Sequence, residues 1–194
     1  MICGIVLAAG RSRRMGEPKA LLPAGDGTFL ARAVRALAEG GCAPVIVVLA
    51  PPAEVPAVAA EAARLGVEVV VSADPEAEQV DSLRAGVRAL PAAAEGAVVL
   101  PVDVPDATAE LVGRLVAGFR RTGAPVVVPA AGGRHGHPVL FARPALAELL
   151  EETLPEGARS VVHRHGEDLL EIPVDRLPPD LDTPAEYRRW RDGA

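Results

Sequence analysis

Aromatic residues are scarce in this chain: one Trp, one Tyr and three Phe among 194 positions. They do not interleave with basic residues, which argues against a stacking platform for single-stranded nucleic acid. Positive charge is also in deficit. A net charge of −6 argues against a general binder of polyanions, so any cations that meet phosphate must be gathered locally. Cysteine occurs twice, as Cys3 and Cys42, without metal-ligand spacing. Both lie in or beside apolar runs and are expected as buried free thiols in a reducing compartment. No apolar run approaches the ~20 residues of a membrane span, and the chain opens on an apolar strand pattern rather than a basic leader. These absences lead to an expectation of a cytoplasmic protein with no nucleic-acid partner and no membrane partner.

Lysine is the sharpest scarcity. The chain has 20 basic residues besides His, and Lys19 is the one that is not Arg. It closes the stretch Leu7-Ala8-Ala9-Gly10-Arg11-Ser12-Arg13-Arg14-Met15-Gly16-Glu17-Pro18-Lys19, where an apolar strand pattern runs into small residues and then into four cations. Lys is a compact, flexible point charge and Arg a wide planar fork, so a position that keeps Lys points to a crowded anion such as phosphate. The plainer alternative is a solvated basic loop.

What is abundant is apolar. Hydrophobic residues make up 49 % of the chain, enough to build a real core, and the length fits a single domain over residues 1–194. Nearly continuous β-branched runs at 2–8, 44–50, 67–71, 97–102 and 124–129 read as strands covered on both faces. Helical patterns lie between them at 28–39, 53–65, 79–90 and 106–120. This alternation predicts an α/β fold: three layers, with a doubly wound, mostly parallel sheet of Rossmann-like type. After residue 130 the rhythm changes. A turn at 132–136 precedes a short strand at 137–141, helices at 144–153 and 158–165, a strand at 169–174 and a last helix at 184–191. This tail reads as an elaboration of the same domain that walls its site.

Ligands of open α/β sheets bind beyond the carboxyl ends of the strands. Two loops fall there: 9–19, and Pro101-Val102-Asp103-Val104-Pro105. Asp103 offers a carboxylate to a hard cation such as Mg²⁺ or, alternatively, a helix cap. The first loop is not a Walker A motif, because Gly10 and Gly16 have five residues between them and Ala20 stands where a hydroxyl is needed. It also fails the Gly-x-Gly-x-x-Gly dinucleotide pattern. His135 and His137, two apart on a strand, would share a face, with a turn or a substrate contact as their role. His163 and His165 fall at a helix end, where the dipole explains them.

Leu7-Ala8-Ala9-Gly10-Arg11-Ser12-x-Arg14-Met15-Gly16-x-x-Lys19-x-Leu21-Leu22 resembles the signature loop of nucleotidyltransferases. It is most similar to the cytidylyltransferase branch of the molybdopterin nucleotidyltransferase family. Ser82-Leu83-Arg84-Ala85-Gly86, Asp103-Val104-Pro105, Gly136-His137-Pro138-Val139 and Asp180-Leu181-Asp182-Thr183-Pro184 match further family segments, in order, over nearly the whole chain. The resemblance implies CMP transfer from CTP to a phosphorylated acceptor, molybdenum-bearing molybdopterin, with release of pyrophosphate and with a molybdoenzyme as a further partner. It implies Lys19, Arg14 and Asp103 as catalytic residues and Asp103 and Asp182 as ligands of Mg²⁺. Leu7, Ala8, Ala9, Gly10, Arg11, Lys19, Ser82 and His137 would line the bound substrates. One departure stands out: Asp74-Pro75-Glu76-Ala77-Glu78-Gln79-Val80-Asp81 is shorter and more acidic than the family's stretch there, and would repel a phosphorylated acceptor. A sugar-phosphate nucleotidyltransferase, or a relative turned to oxidoreductase or non-catalytic nucleotide-binding use, are the alternatives.

Overall fold

The first strand, β1 (Ile2–Leu7), is buried at every position. Its side chains alternate between two cores: Ile2 and Val6 enter one, while Cys3, Ile5 and Leu7 enter the other. A strand apolar on both faces must lie inside a sheet covered on both sides, and the remaining elements supply that cover. The computed structural model describes residues 1–10, 15–72 and 79–193.

After β1, a small hairpin of β2 (Pro23–Ala24) and β3 (Gly27–Thr28) leads into α1 (Phe29–Glu39), β4 (Val45–Leu49), α2 (Pro56–Arg64) and β5 (Glu68–Val71). The chain continues through α3 (Gln79–Arg88), β6 (Gly96–Pro101), α4 (Ala109–Thr122), β7 (Val126–Ala131), β8 (Arg134–His135) and β9 (Val139–Ala142). It ends with α5 (Arg143–Glu148), α6 (Ala158–Arg164), β10 (Leu170–Pro173) and α7 (Pro184–Arg191). The main sheet has the order β10-β7-β9-β6-β1-β4-β5, with β8 paired to β7. Strands β6, β1, β4 and β5 are parallel and β10 runs parallel to β7, whereas β9 is antiparallel to both β6 and β7. Apolar faces of α1, α2 and α4 fill the core that holds Val6, and those of α3, α5 and α6 fill the core that holds Ile5. The expected three-layer, doubly wound and mostly parallel architecture is the one observed.

The chain leaves β1 toward β4 on one side, and β6 flanks it on the other, so the crevice above their carboxyl ends is the switch point where ligands bind in such sheets. Two close approaches shape the layers beneath it. A side chain at Gly86 would meet Ile5 Cγ2 at 2.9 Å and Val48 Cγ2 at 3.0 Å, so its absence lets α3 lie directly on the sheet. Trp190 and Tyr187 of α7 pack edge-on against Phe29, with ring centroids 5.4 and 5.8 Å away. These contacts fasten the end of the chain to α1.

Some boundaries differ from expectation for local reasons. The helix expected over 144–153 stops at Glu148. Arg84 takes the carbonyls beyond it, donating to Leu149 (3.2 Å), Glu151 and Glu152 (3.3 Å), which diverts them from a helical ladder. Helix α4 begins at Ala109 rather than 106, because Thr108 accepts from the Leu111 N–H and acts as its cap. The expected strand over 137–141 starts only at Val139, so His135 and His137 do not share a strand.

Candidate active site

The loop after β1 is rooted firmly. Leu7 is buried and its carbonyl accepts from the Val102 N–H (3.0 Å), while the Ala8 N–H donates to Val48 (2.9 Å). These two residues are therefore committed to the sheet, and the loop emerges at half-buried Ala9 and exposed Gly10. Arg11 and Arg14 lie outside the described residues, as does most of the acidic stretch, 73–78. Met15 is buried, and the chain turns at Gly16, whose φ of 75° is a conformation glycine adopts at little cost. Lys19 then opens a short 3₁₀ turn, pinned by the buried side chains of Ala20 and Leu22.

With its backbone pinned, the Lys19 side chain reaches two carboxylates from distant parts of the chain. Its Nζ donates to Asp103 Oδ2 at 2.8 Å and to Asp182 Oδ1 at 2.6 Å. Burial of the ammonium works against its charge, but the hydrogen bonds and charges of the two aspartates outweigh this and hold the Lys19 pKa above its ordinary value. Asp103 stands just past the end of β6 and Asp182 just before α7. The two loops are tied to each other, since the Leu181 N–H donates to the Asp103 carbonyl (2.9 Å). Asp182 is fixed in turn by Glu186, whose carboxylate accepts from the backbone N–H groups of Asp182 (2.9 Å) and Thr183 (2.8 Å) in a capping box. The helix-cap alternative for Asp103 falls away, because Thr108 caps α4 and the Asp103 carboxylate is spent on Lys19.

The donor set fits a hard divalent cation. Two carboxylate oxygens from separate loops converge on one positively charged atom. Mg²⁺ is characteristically held by one or two carboxylates together with substrate phosphates and water. No group of three or more His, Cys, Asp or Glu is gathered in metal-holding geometry among the described residues, so a cation here would complete its shell from the ligand.

Two further groups surround this pair, and sequence reasoning assigned neither a role. Asp180 lies exposed beside the pair, and partial desolvation of its carboxyl, followed by the charges of Asp103 and Asp182, raises its pKa. The signal was available, since Asp180 and Asp182 are spaced two apart in an extended segment. Arg159 on α6 is exposed, has no hydrogen bond or ion pair among the described residues, and its charge reaches both His137 and Asp180. Nothing in the sequence separates it from the other arginines.

His137 is half-buried, and no partner for its buried Nδ1 is found among the described residues. Burial, reinforced by Arg159, lowers its pKa against the opposing pull of Asp103, so the ring is neutral at pH 7. An unpaired N–H in that buried position would be costly, which favours the tautomer with its proton on Nε2. His135 is separate: its Nε2 donates to Glu171 on β10 at 2.6 Å. His163 and His165 pair with Glu156 (2.9 Å) and Glu148 (2.8 Å), so carboxylates rather than the helix dipole hold them. Ser82, expected to line the substrates, is buried and donates its hydroxyl to Ser72 Oγ at 3.3 Å, joining α3 to the chain just past β5. Cys3 and Cys42 are free and buried as expected, and burial pushes the Cys42 thiol up to about 12. No helix among the described residues is long and apolar enough to cross a membrane.

Comparison with known proteins gives a consistent result. The family model described as MobA-like NTP transferase domain matches residues 4–169. A protein of Mycobacterium avium (strain 104), named "Probable molybdenum cofactor guanylyltransferase", is 35 % identical over 196 residues, covering 96 % of this chain and 93 % of its own. The crystal structure of Rv0371c from Mycobacterium tuberculosis H37Rv is similar at a TM-score of 0.82 and 31 % identity, over 97 % of this chain and 95 % of that one. A structure of the same protein in complex with manganese matches at a TM-score of 0.81 and 31 % identity, over 100 % and 99 % of the two chains. The relative's name specifies guanylyl rather than the cytidylyl transfer that the first loop had suggested.

Proposed function

The chain belongs to the MobA-like NTP transferase family, and from that premise we propose that it transfers a nucleoside monophosphate from an NTP to a phosphate of the molybdenum cofactor, releasing pyrophosphate. The observation that carries this reading is the convergence of Lys19, Asp103 and Asp182 at the carboxyl ends of β1 and β6. The relatives' names favour GTP as the donor. CTP is a second reading, favoured by the resemblance of the Leu7–Leu22 loop pattern to the cytidylyltransferase branch.

The residues divide the work as follows. Backbone amides emerging at Ala9 and Gly10 meet the donor phosphates, and the Lys19 ammonium neutralises them, with Arg11 and Arg14 of the same loop as further cations. Asp103 and Asp182 would hold a divalent ion, which when bound supplies Lewis-acid stabilisation of phosphate charge; the manganese complex of Rv0371c supports a metal of this kind. The acceptor oxygen attacks the α-phosphorus, the bond to the pyrophosphate oxygen breaks, and pyrophosphate departs. An acceptor phosphate is largely ionised at pH 7, so no general base is needed. Catalysis then comes from positioning and from charge stabilisation. On the acceptor side, Arg159 supplies a cation without a partner among the described residues, and neutral His137 offers an Nε2–H donor.

The test is release of pyrophosphate with each of the four NTPs against molybdopterin and a panel of sugar phosphates, with and without Mg²⁺ or Mn²⁺. Release with GTP and molybdopterin, dependent on the metal, is expected. Release only with a sugar phosphate would replace the acceptor, and no release with any pair would reject the reaction.

A further inference from the structure

Asp103 and Asp182 are held at a set separation by backbone contacts. The Leu181 N–H is bonded to the Asp103 carbonyl, and the Asp182 N–H is bonded to Glu186. The gap between their carboxylates is filled by the ammonium of Lys19, 2.8 Å from one and 2.6 Å from the other. This is the same gap in which the proposed function places a divalent cation. A Mg²⁺ ion needs oxygens at about 2.0–2.1 Å, and an ammonium bonded to the same two oxygens would be pressed against it charge to charge. The two cations exclude one another. Of the parts involved, Lys19 is the movable one: its backbone is pinned by Ala20 and Leu22, but its side chain is a four-carbon stem.

We propose that Lys19 and the divalent cation occupy the point between Asp103 and Asp182 in turn, so that donor phosphates draw Lys19 off the carboxylates as the metal seats. The inference rests on the reading of Asp103 and Asp182 as metal ligands. Before substrate arrives, the ammonium neutralises a cluster of three carboxylates, Asp103, Asp180 and Asp182, that would otherwise repel each other. A triphosphate offers that ammonium a richer set of anionic oxygens and leaves the carboxylates free. Metal and nucleotide therefore bind with positive coupling, and by linkage each raises the affinity of the other. Free metal without nucleotide binds poorly, because it must displace a tethered cation. Arg at this position would hold both carboxylates in a wider, planar fork and release them less readily, which gives a reason for Lys at this position.

The experiment uses Mn²⁺ as probe, followed by electron paramagnetic resonance, with no nucleotide and no acceptor present. Lys19→Met and Lys19→Gln, each checked for native circular dichroism, are expected to bind Mn²⁺ roughly tenfold or more tighter than the parent chain. Equal or weaker binding would overturn the inference. Adding Asp103→Asn to Lys19→Met is expected to abolish the gain; a gain that persists would place the metal elsewhere and overturn it equally. Because the chain has one lysine, the unaltered protein gives a second readout. Acylation of Lys19, followed by mass spectrometry, should accelerate several-fold when Mn²⁺ alone is added at a concentration that saturates the parent chain, and an unchanged or slower rate there would contradict displacement. None of these readouts involves transfer, so a failed pyrophosphate assay would leave them standing and their failure would leave the assay standing.

Discussion

Lys19 and Asp182 stand 163 positions apart in the chain and meet at 2.6 Å. The contact makes the last quarter of the sequence part of the site rather than an appendage to it. Asp182 owes its place to Glu186 and to the packing of α7 on Phe29, so the end of the chain folds against the beginning to complete the crevice.

Asp103→Asn is expected to leave the fold intact and to lower metal-dependent turnover by roughly a hundredfold or more, because it removes a charged oxygen that would hold the divalent ion. Steady-state kinetics at saturating Mg²⁺, with circular dichroism as the control, measure this. Near-normal turnover would remove Asp103 from the site.

Lys19→Arg keeps the charge and is still expected to impair nucleotide binding or transfer. The guanidinium is broader than the ammonium that fits between the two aspartates, and its planar fork matches poorly the oxygens around a tetrahedral phosphorus. If kcat/KM for the two proteins agrees within about a factor of two, a geometric demand for Lys is refuted.

Asp180→Asn is expected to stabilise the protein at neutral pH. The native carboxyl has a pKa raised above 3.8 by partial desolvation and by its acidic neighbours, so the folded state holds this proton more tightly than the unfolded chain. Its ionisation therefore costs stability as pH rises from 3.8 through the native pKa, and the cost persists above it. The variant should melt higher than the parent at pH 7, with the difference shrinking as pH falls toward 3.8. A variant that melts lower at pH 7 would mean that the Asp180 charge is stabilised there.

His137 should make stability depend on pH in the opposite sense. Burial depresses its pKa below 6.5, so the unfolded chain binds a proton that the folded chain resists. Its contribution is fully present above pH 6.5 and is lost as pH falls from there through the native value. Urea unfolding of the parent and of His137→Gln between about pH 8 and about pH 5 should show a steeper loss in the parent. Parallel curves would mean that the ring is not held neutral.

How much of this could be read from the sequence follows from the range of the forces involved. The β1, β4 and β6 runs were legible because two-sided burial leaves continuous apolar stretches, and α1 was legible because the apolar face formed by Phe29, Leu30, Ala33, Val34 and Leu37 repeats locally. The early end of α5 was not, since it depends on the guanidinium of Arg84, 65 positions from Leu149. Within the site, Lys19, Asp103 and Asp182 could be singled out from spacing and resemblance, and the structure brings all three together. Leu7 and Ala8 match the loop pattern because they root it in the sheet, which sequence cannot distinguish from touching a ligand. Ser82 matches for a similar reason, bridging to Ser72 while Gly86 admits the sheet. Arg159 gave no signal at all, because what marks it is proximity to His137 and Asp180.

The carboxylates gathered around Lys19 are proposed to form a metal-dependent nucleotidyl-transfer centre. Its most direct test is pyrophosphate release from GTP with molybdopterin as acceptor, measured for the parent chain, Asp103→Asn and Asp182→Asn across a titration of Mg²⁺. Metal-dependent release by the parent is expected, with both variants slowed roughly a hundredfold or more. Release that proceeds without a divalent ion, or at the parent rate in both variants, would contradict it.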